Sequence, residues 1–384
     1  MDQSVEGTDR AHGPVRGVNL GGWLVLEEWM SPRLFAGTDA EDETRLHAAL
    51  APELLAERLR VHRDTFVGER DFALLAAQGV QAVRIPVPHG VFGDREPLLG
   101  CLEHLDRAFA WAGRHGLDVL LDLHTVPGGQ NGFDNSGLSG VCTWHRQPDE
   151  VEFALTVLER LTARYRDDPA FWGIEVLNEP VSQEVWDLVD VPHRYPARDP
   201  EQARASEPVP TAFLRSFYAE AHRRVRAQSD RVTVVFHDGF RLGEWGSFFT
   251  DAGFDRFAVD THLYLMVHTL GTGDETLQGH LEAVRGFART VREAAGHFPV
   301  IVGEWCLDPM APSVAALDDE DRARFHRAVA DAQLEAWEPS AGWFFWTLKL
   351  LVDGHDRDGW DFGTSLARGH LPADLSPPGR PRLR

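Results

Sequence analysis

Short β-branched or aromatic runs, each closing on polar residues, alternate along the chain with stretches whose apolar residues recur at helical spacing. The runs at 16–20, 82–87, 118–124, 171–177, 232–237, 257–264, 300–305 and 343–348 read as eight strands. Between them, Leu102, Leu105, Phe109 and Ala112 mark one helical face, and Ala154, Val157, Leu158, Leu161 and Tyr165 mark a second. Leu214, Phe217, Ala221 and Val225 mark a third, and Leu277, Leu281, Val284 and Val291 a fourth. Asp318 and Thr211 stand where helix N-caps belong. Alternating strands and helices imply parallel pairing, and eight such units predict a (β/α)8 TIM barrel in one domain. A doubly wound open sheet is the alternative. It would usually carry a glycine-rich phosphate turn after its first strand. Here that strand runs into Gly21-Gly22-Trp23, and the chain has no Walker sequence.

The same pattern sets the boundaries. Residues 1–15 precede the first strand and read as a flexible segment, 16–375 as the barrel, and 376–384 (SPPGRPRLR) as a disordered tail. No repeat of ~20–50 residues stands out. One connection, 181–210, is long, with five prolines and many charges. It leaves the fourth strand on the side where a barrel builds its site, and is expected to be a functional or mobile loop.

Composition narrows the partners. With 43% hydrophobic and 26% charged residues in 384, the chain is globular and not disordered. No apolar run reaches the ~18 residues of a membrane span. Residues 1–15 show neither the apolar core nor the cleavage pattern of a secretory signal, so a cytoplasmic enzyme is expected. Cys101, Cys142 and Cys306 make no disulfide framework and match no zinc spacing. Against 60 acidic residues stand 38 basic ones, of which only Lys349 is lysine, for a formal charge of −22. That balance argues against nucleic acid, whose phosphates need a clustered basic patch. Twelve Trp and 22 Phe supply aromatic faces that can pack a core or lie against sugar rings.

A barrel keeps its chemistry at the C-terminal ends of its strands. There the sequence sets Glu27 just after strand one, Arg84 in strand two, His124 ending strand three and Asn178-Glu179 ending strand four. His262 and Tyr264 end strand six, Glu304 ends strand seven, and Trp346 lies on strand eight. Glu179 and Glu304 follow apolar runs directly, in IEVLNEP and VIVGEW. One buried carboxylate can be a local ion pair, since burial without partners is unfavourable. Two of them, with Arg, His, Asn and Tyr at the other strand ends, suit glycoside hydrolysis. One carboxyl is protonated to serve the leaving oxygen, and the other is ionised to face the anomeric carbon. Arg84 would keep one ionised by charge pairing, while crowding raises the pKa of its partner. His124, Asn178 and His262 can bond hydroxyls, and Trp346 can floor a sugar pocket. Trp343, three residues earlier, falls on the other face of its strand and reads as core.

Six blocks carry a family resemblance: RGVNLGGWLVLEEWMSPRLF (16–35), LDLHTVPGGQNGFDNSG (121–137), IEVLNEP (174–180), THLY (261–264), VGEW (302–305) and WFFWTLK (343–349). They resemble glycoside hydrolase family 5, and within it the exo-β-1,3-glucanase branch. NEP alone is a weak signal, but the two long blocks are specific, and the likeness runs in order from about 16 to 375. It implies a retaining barrel hydrolase of carbohydrate, without metal or other cofactor, acting from chain ends on β-glucosides or β-1,3-linked gluco-oligosaccharides. It implies Glu179 as acid/base, Glu304 as nucleophile and Arg84 as the arginine that steadies the nucleophile. Asn178 matches a contact to the sugar 2-hydroxyl. His124, His262 and Tyr264 match hydrogen-bonding residues, and Trp346 the platform under the reacting sugar. Glu27, Asp134 and Asn135 resemble the groups that close the pocket. Phe133 resembles one half of an aromatic clamp on the leaving sugar.

The chain departs from that pattern at the rim. Val267 stands where the second clamp aromatic is expected, and PHGVF after strand two is less aromatic than in the branch. LKLLVDGHDRDGWDF replaces a segment that brings a polar acceptor near the sugar, for which Asp353, Asp356 and Asp358 are candidates. These changes leave aglycone and linkage open, and an endo-acting glucanase or a glycolipid-cleaving member of the family stays as an alternative. An inactive sugar-binding barrel would keep Trp346 and Phe133 but need neither glutamate. A metal-dependent barrel hydrolase would want an HxH at a strand end, which the chain lacks.

Overall fold

Eight β-strands form where the apolar runs place them: β1 (Val15–Asn19), β2 (Ala82–Val87), β3 (Asp118–Leu123), β4 (Phe171–Glu175), β5 (Thr233–His237), β6 (Phe257–His262), β7 (Val300–Trp305) and β8 (Gly342–Phe345). The computed structural model describes residues 14–352, 354 and 357–376. The strands pair in parallel in chain order and close into a barrel, β8 returning to β1. The open doubly wound sheet is thereby excluded. β1, β3, β4, β6 and β8 leave the ladder one to three residues before the expected ends. Register breaks at Thr261/His262 and between Val302 and Trp305 accompany this. The residues past the breaks form the barrel mouth.

Inside the barrel, Ala82, Leu120, Val235, Ala258, Ile301 and Phe344 fill a closed layer below the polar ends. Outside it, the helices Leu102–His115, Pro148–Tyr165, Thr211–Gln228 and Leu277–Ala295 bury their predicted faces against the strands. Leu277 is the exception, exposed in the first turn of its helix. Trp343 packs in this outer layer beside Trp305, with ring centroids 5.4 Å apart. Asp318 caps the helix Asp319–Trp337, accepting from the amide of Asp321 at 2.8 Å. Thr211 does not cap. The cap position falls on Pro210, and the Thr211 hydroxyl instead accepts from Arg241 Nη1 at 2.8 Å.

The 181–210 connection is more ordered than a loop. It folds as three short helices, Gln183–Val189, Val191–Arg194 and Pro200–Ala203, the first and last capped by Ser182 and Asp199. Val15 belongs to β1, one residue earlier than expected, and residues 1–13 lie outside the described residues. At the other end the chain is anchored through Ser376. Arg16 Nη1 donates to the carbonyls of Leu375 and Ser376, and Leu375 N donates to Gln78. The rest of the expected tail, 377–384, also lies outside the described residues. The three cysteines are buried and unbonded. No helix among the described residues is long and apolar enough to cross a membrane.

Candidate active site

The floor of the site is a guanidinium. Arg84 points inward from β2, level with Asn19 of β1, and is completely buried. Its Nε donates to Glu175 at 2.8 Å. Nη1 donates to Glu304 at 2.9 Å and Asn19 Oδ1 at 3.0 Å, and Nη2 to Asn178 Oδ1 at 2.9 Å. Nη2 also lies 3.1 Å from Asp122. Burial alone would lower the Arg84 pKa, but Asp122, Glu175 and Glu304 hold it well above the usual value. A buried cation is tolerable only with such compensation. Three of these partners, Asn19, Asp122 and Glu175, were missed by inspection of strand ends. Period two would have found Asp122, because it shares a strand face with His124, as Asp260 does with His262.

Asp122 fixes its neighbour. Its Oδ2 lies 2.6 Å from His124 Nδ1, so the imidazole hydrogen sits on that nitrogen and Nε2 faces Asn178 Nδ2 at 3.5 Å. The His124 ring stacks on Trp346, centroids 5.6 Å apart and planes within 9°. Trp346 reaches this position because residue 21 has no side chain: a Cβ there would stand 2.7 Å from the indole.

The two expected glutamates converge on one imidazole. Glu304 is held by Arg84 through Oε1 and by the Tyr264 hydroxyl, which donates to Oε2 at 2.6 Å. Glu179 has φ of 44°, a left-handed backbone that turns its side chain over the mouth. Its Oε1 lies 2.7 Å from His262 Nδ1, and its Oε2 accepts from Asn135 Nδ2 at 2.9 Å. The same His262 Nδ1 is 3.4 Å from Glu304 Oε2.

This contact reverses the expected order of the two acids. Burial pushes Glu304 up, against the pull of His262 and Arg84, and its net shift is upward. Burial also opposes ionisation of Glu179, but the hydrogen bonds and charge of His262 and the bond from Asn135 outweigh it and lower its pKa. Burial would lower His262, yet Glu304 and Asp260 keep it well above the ordinary imidazole range. Both shifts favour the proton on His262 over Glu179, 2.7 Å away. Crowding by the second carboxylate is weaker than this adjacent cation.

The remaining predicted residues lie mainly on the connections that follow β1, β3 and β8. Glu27 is buried, with Oε2 accepting from Trp29 Nε1 at 2.9 Å and Oε1 without a protein partner among the described residues. Burial, and then the charge of Asp134, raise its pKa well above the carboxylate range. Burial pushes Asp134 itself up to about 6. Phe133 contacts Tyr195 from the 181–210 connection, centroids 5.5 Å apart. Trp360, also unanticipated, bridges Trp29 and Tyr264 at 5.4 and 5.3 Å. Of the three aspartates after β8, Asp353 and Asp356 lie outside the described residues, and Asp358 pairs with Arg368 at 2.7 Å.

Two triads, Glu179–His237–His262 and Glu175–Asp260–His262, bring three donor atoms within 4.8 Å of one another. In the first triad His262 Nδ1 is engaged by Glu179; in the second Arg84 holds Glu175 Oε2, while Glu175 Oε1, Asp260 Oδ2 and His262 Nε2 have no hydrogen-bond partner among the described residues. The guanidinium supplies the positive charge that a cation would bring.

Two buried glutamates meeting over an arginine, at the C-terminal mouth of a closed barrel, define a TIM-barrel glycoside hydrolase. The profile of Cellulase (glycosyl hydrolase family 5) matches residues 60–349, and the chain belongs to that family. It is 38% identical over 401 residues to the probable glucan 1,3-beta-glucosidase A of Emericella nidulans, covering 94% of this chain and 91% of that protein. A protein of the same name from Aspergillus fumigatus is 33% identical over 404 residues, covering 95% and 89%. Among solved structures, rutinosidase from Aspergillus niger is similar with a TM-score of 0.75 at 22% identity, covering 94% of this chain and 99% of that one. That last likeness is one of fold. The chain is a retaining β-glycosidase.

Proposed function

We propose that the protein removes terminal glucose from β-glucosides or β-1,3-linked gluco-oligosaccharides, with Glu304 as nucleophile and Glu179 as acid/base. The observation that carries this is the contact of one imidazole nitrogen with both carboxylates, at 2.7 and 3.4 Å. The two nearest oxygens then stand no farther apart than the sum of those legs, so both carboxylates reach one bond. Glu304 Oε2 bonds to the anomeric carbon as Glu179 gives a proton to the departing oxygen. Water, deprotonated by Glu179, then releases the sugar with its β configuration. The proton that Glu179 delivers is drawn from His262 in the first step: as Glu304 spends its charge in the new bond, the main influence holding His262 protonated fades, and Glu179 is left ionised to take the proton of the water.

Terminal action is supported by Glu27, whose buried Oε1 has no protein partner among the described residues and can bond a sugar hydroxyl. The names of the relatives point the same way. The test is the early product mixture from a β-1,3-gluco-oligomer, followed by proton NMR. Glucose alone, first seen as the β anomer, is expected. A ladder of shorter oligomers would refute terminal action, and an initial α anomer would demote Glu304 to a general base.

A further inference from the structure

The connection between β4 and the helix Thr211–Gln228 brings to the mouth a ring that no sequence block announced. Tyr195 is half-buried and contacts Phe133 with ring planes tilted by 42°. Phe133 is two residues from Asn135, which binds Glu179, so the pair stands beside the carboxyl that serves the leaving group. Burial, followed by the charge of Asp134, raises the Tyr195 pKa against the pull of Arg194. The segment is seated firmly. Val191 and Trp186 pack over Gly132, within 3.0 and 3.5 Å of where a Cβ would be.

Centroids 5.5 Å apart leave no gap for a third ring, since a sandwich needs two contact distances of about 3.5 Å each. Phe133 and Tyr195 therefore make one ledge rather than two jaws. The neighbouring rim exposes aliphatic carbon. Leu188, Val267 and Leu270 are 37%, 39% and 44% exposed, and the helix Leu265–Thr272 carries no Asp, Glu, Lys or Arg. That helix meets Gln183–Val189 where Gly271 faces Leu188. A departing sugar would bring hydroxyls with few partners here. A flat apolar group would cover the ledge and this exposed carbon.

We propose that Phe133 and Tyr195 bind the leaving group, and that the substrates are β-glucosides of aromatic alcohols or phenols rather than β-1,3-glucan. This rests on the β-glucosidase reading above. The test compares kcat/KM for benzyl and methyl β-glucoside, whose alcohols leave with similar ease, with laminaribiose and β-glucosyl fluoride alongside. Because the benzyl-to-methyl ratio is read within each protein, a general loss of activity cancels. The wild-type ratio should be about tenfold or more, roughly 1.4 kcal/mol. Tyr195→Ala should bring it near one and Tyr195→Phe should keep it. A wild-type ratio near one overturns the proposal, as does an unchanged ratio in Tyr195→Ala. So does a fall in the laminaribiose-to-methyl ratio as large as the benzyl one, which would make the ledge a sugar platform. If the wild type does not turn over the fluoride, the β-glucosidase reading itself falls, and the ledge with it.

Discussion

Replacing Arg84 with Met removes the one cation that three buried carboxylates share. Glu175, Glu304 and Asp122 lie 2.8, 2.9 and 3.1 Å from its nitrogens, and of the three only Glu304 and Asp122 also have an imidazole within 3.4 Å. Breaking a buried pair by deleting one member costs about 3–5 kcal/mol. With about 2.1 cal/mol/K of unfolding entropy per residue, a chain of this length should lose roughly 4–6 °C in Tm. The loss should depend on pH. Arg84 is among the influences that lower Glu175 and Glu304, and both already stand above the usual carboxylate value. Without it their folded pKa values rise further. A carboxyl raised in the folded state destabilises progressively as pH climbs through its unfolded value of about 4.3 and on to the folded one. The Tm deficit should therefore be largest near pH 8 and shrink toward pH 5. The acid limb of kcat/KM should move to higher pH, since Glu304 must be ionised to attack. Glu175→Gln in the variant background should recover part of the stability. Calorimetry across pH at fixed salt, with matched kinetics, decides the matter. A deficit independent of pH, or an unmoved acid limb, would show that Arg84 does not govern these ionisations.

Three further outcomes are expected. Glu304→Ala should abolish turnover and regain part of it with added azide, giving the α-glucosyl azide, whereas Glu179→Ala should impair alkyl glucosides far more than activated aryl ones; residual wild-type activity in both would refute the roles. His262→Gln should narrow the pH profile from both sides. Glu304 loses an influence that lowers it, so the acid limb rises, and the alkaline limb falls because it then reports Glu179 alone instead of the Glu179–His262 pair; an unchanged width would exclude His262 as the shared proton site. Gly21→Ala should push the Trp346 indole out of place and raise KM for every glucoside, read against a Tm that drops by about 1–3 kcal/mol equivalent; an unaltered KM would show that Trp346 does not floor the sugar.

Much of the barrel was legible because each strand is an apolar run between turn residues, and helical periodicity marks what lies between. Strand ends were read too long where the mouth bends residues such as Trp346 out of the ladder. Both glutamates could be read because each carboxylate interrupts an apolar context. Asp122 and Asp260 escaped although they obey the same rule, since they sit inside strands, and Glu175 escaped because the expected strand ran two residues past it. The acidity order of the glutamates was not legible. It depends on His262 standing between them, a contact across 83 residues of chain on one side and 42 on the other. Tyr195 was hidden for a related reason: nothing local marks a tyrosine in a charged, proline-rich connection as the neighbour of Phe133.

The imidazole between the glutamates also limits how the site can be dissected. Each carboxylate sets the protonation of His262, and His262 in turn sets the other. The two positions therefore form one thermodynamic unit, and substitutions at them will not add. Removing either glutamate alters the survivor's charge state before any substrate arrives, so a single-variant rate measures a reorganised site. Only a full cycle that includes His262 can separate what each group contributes.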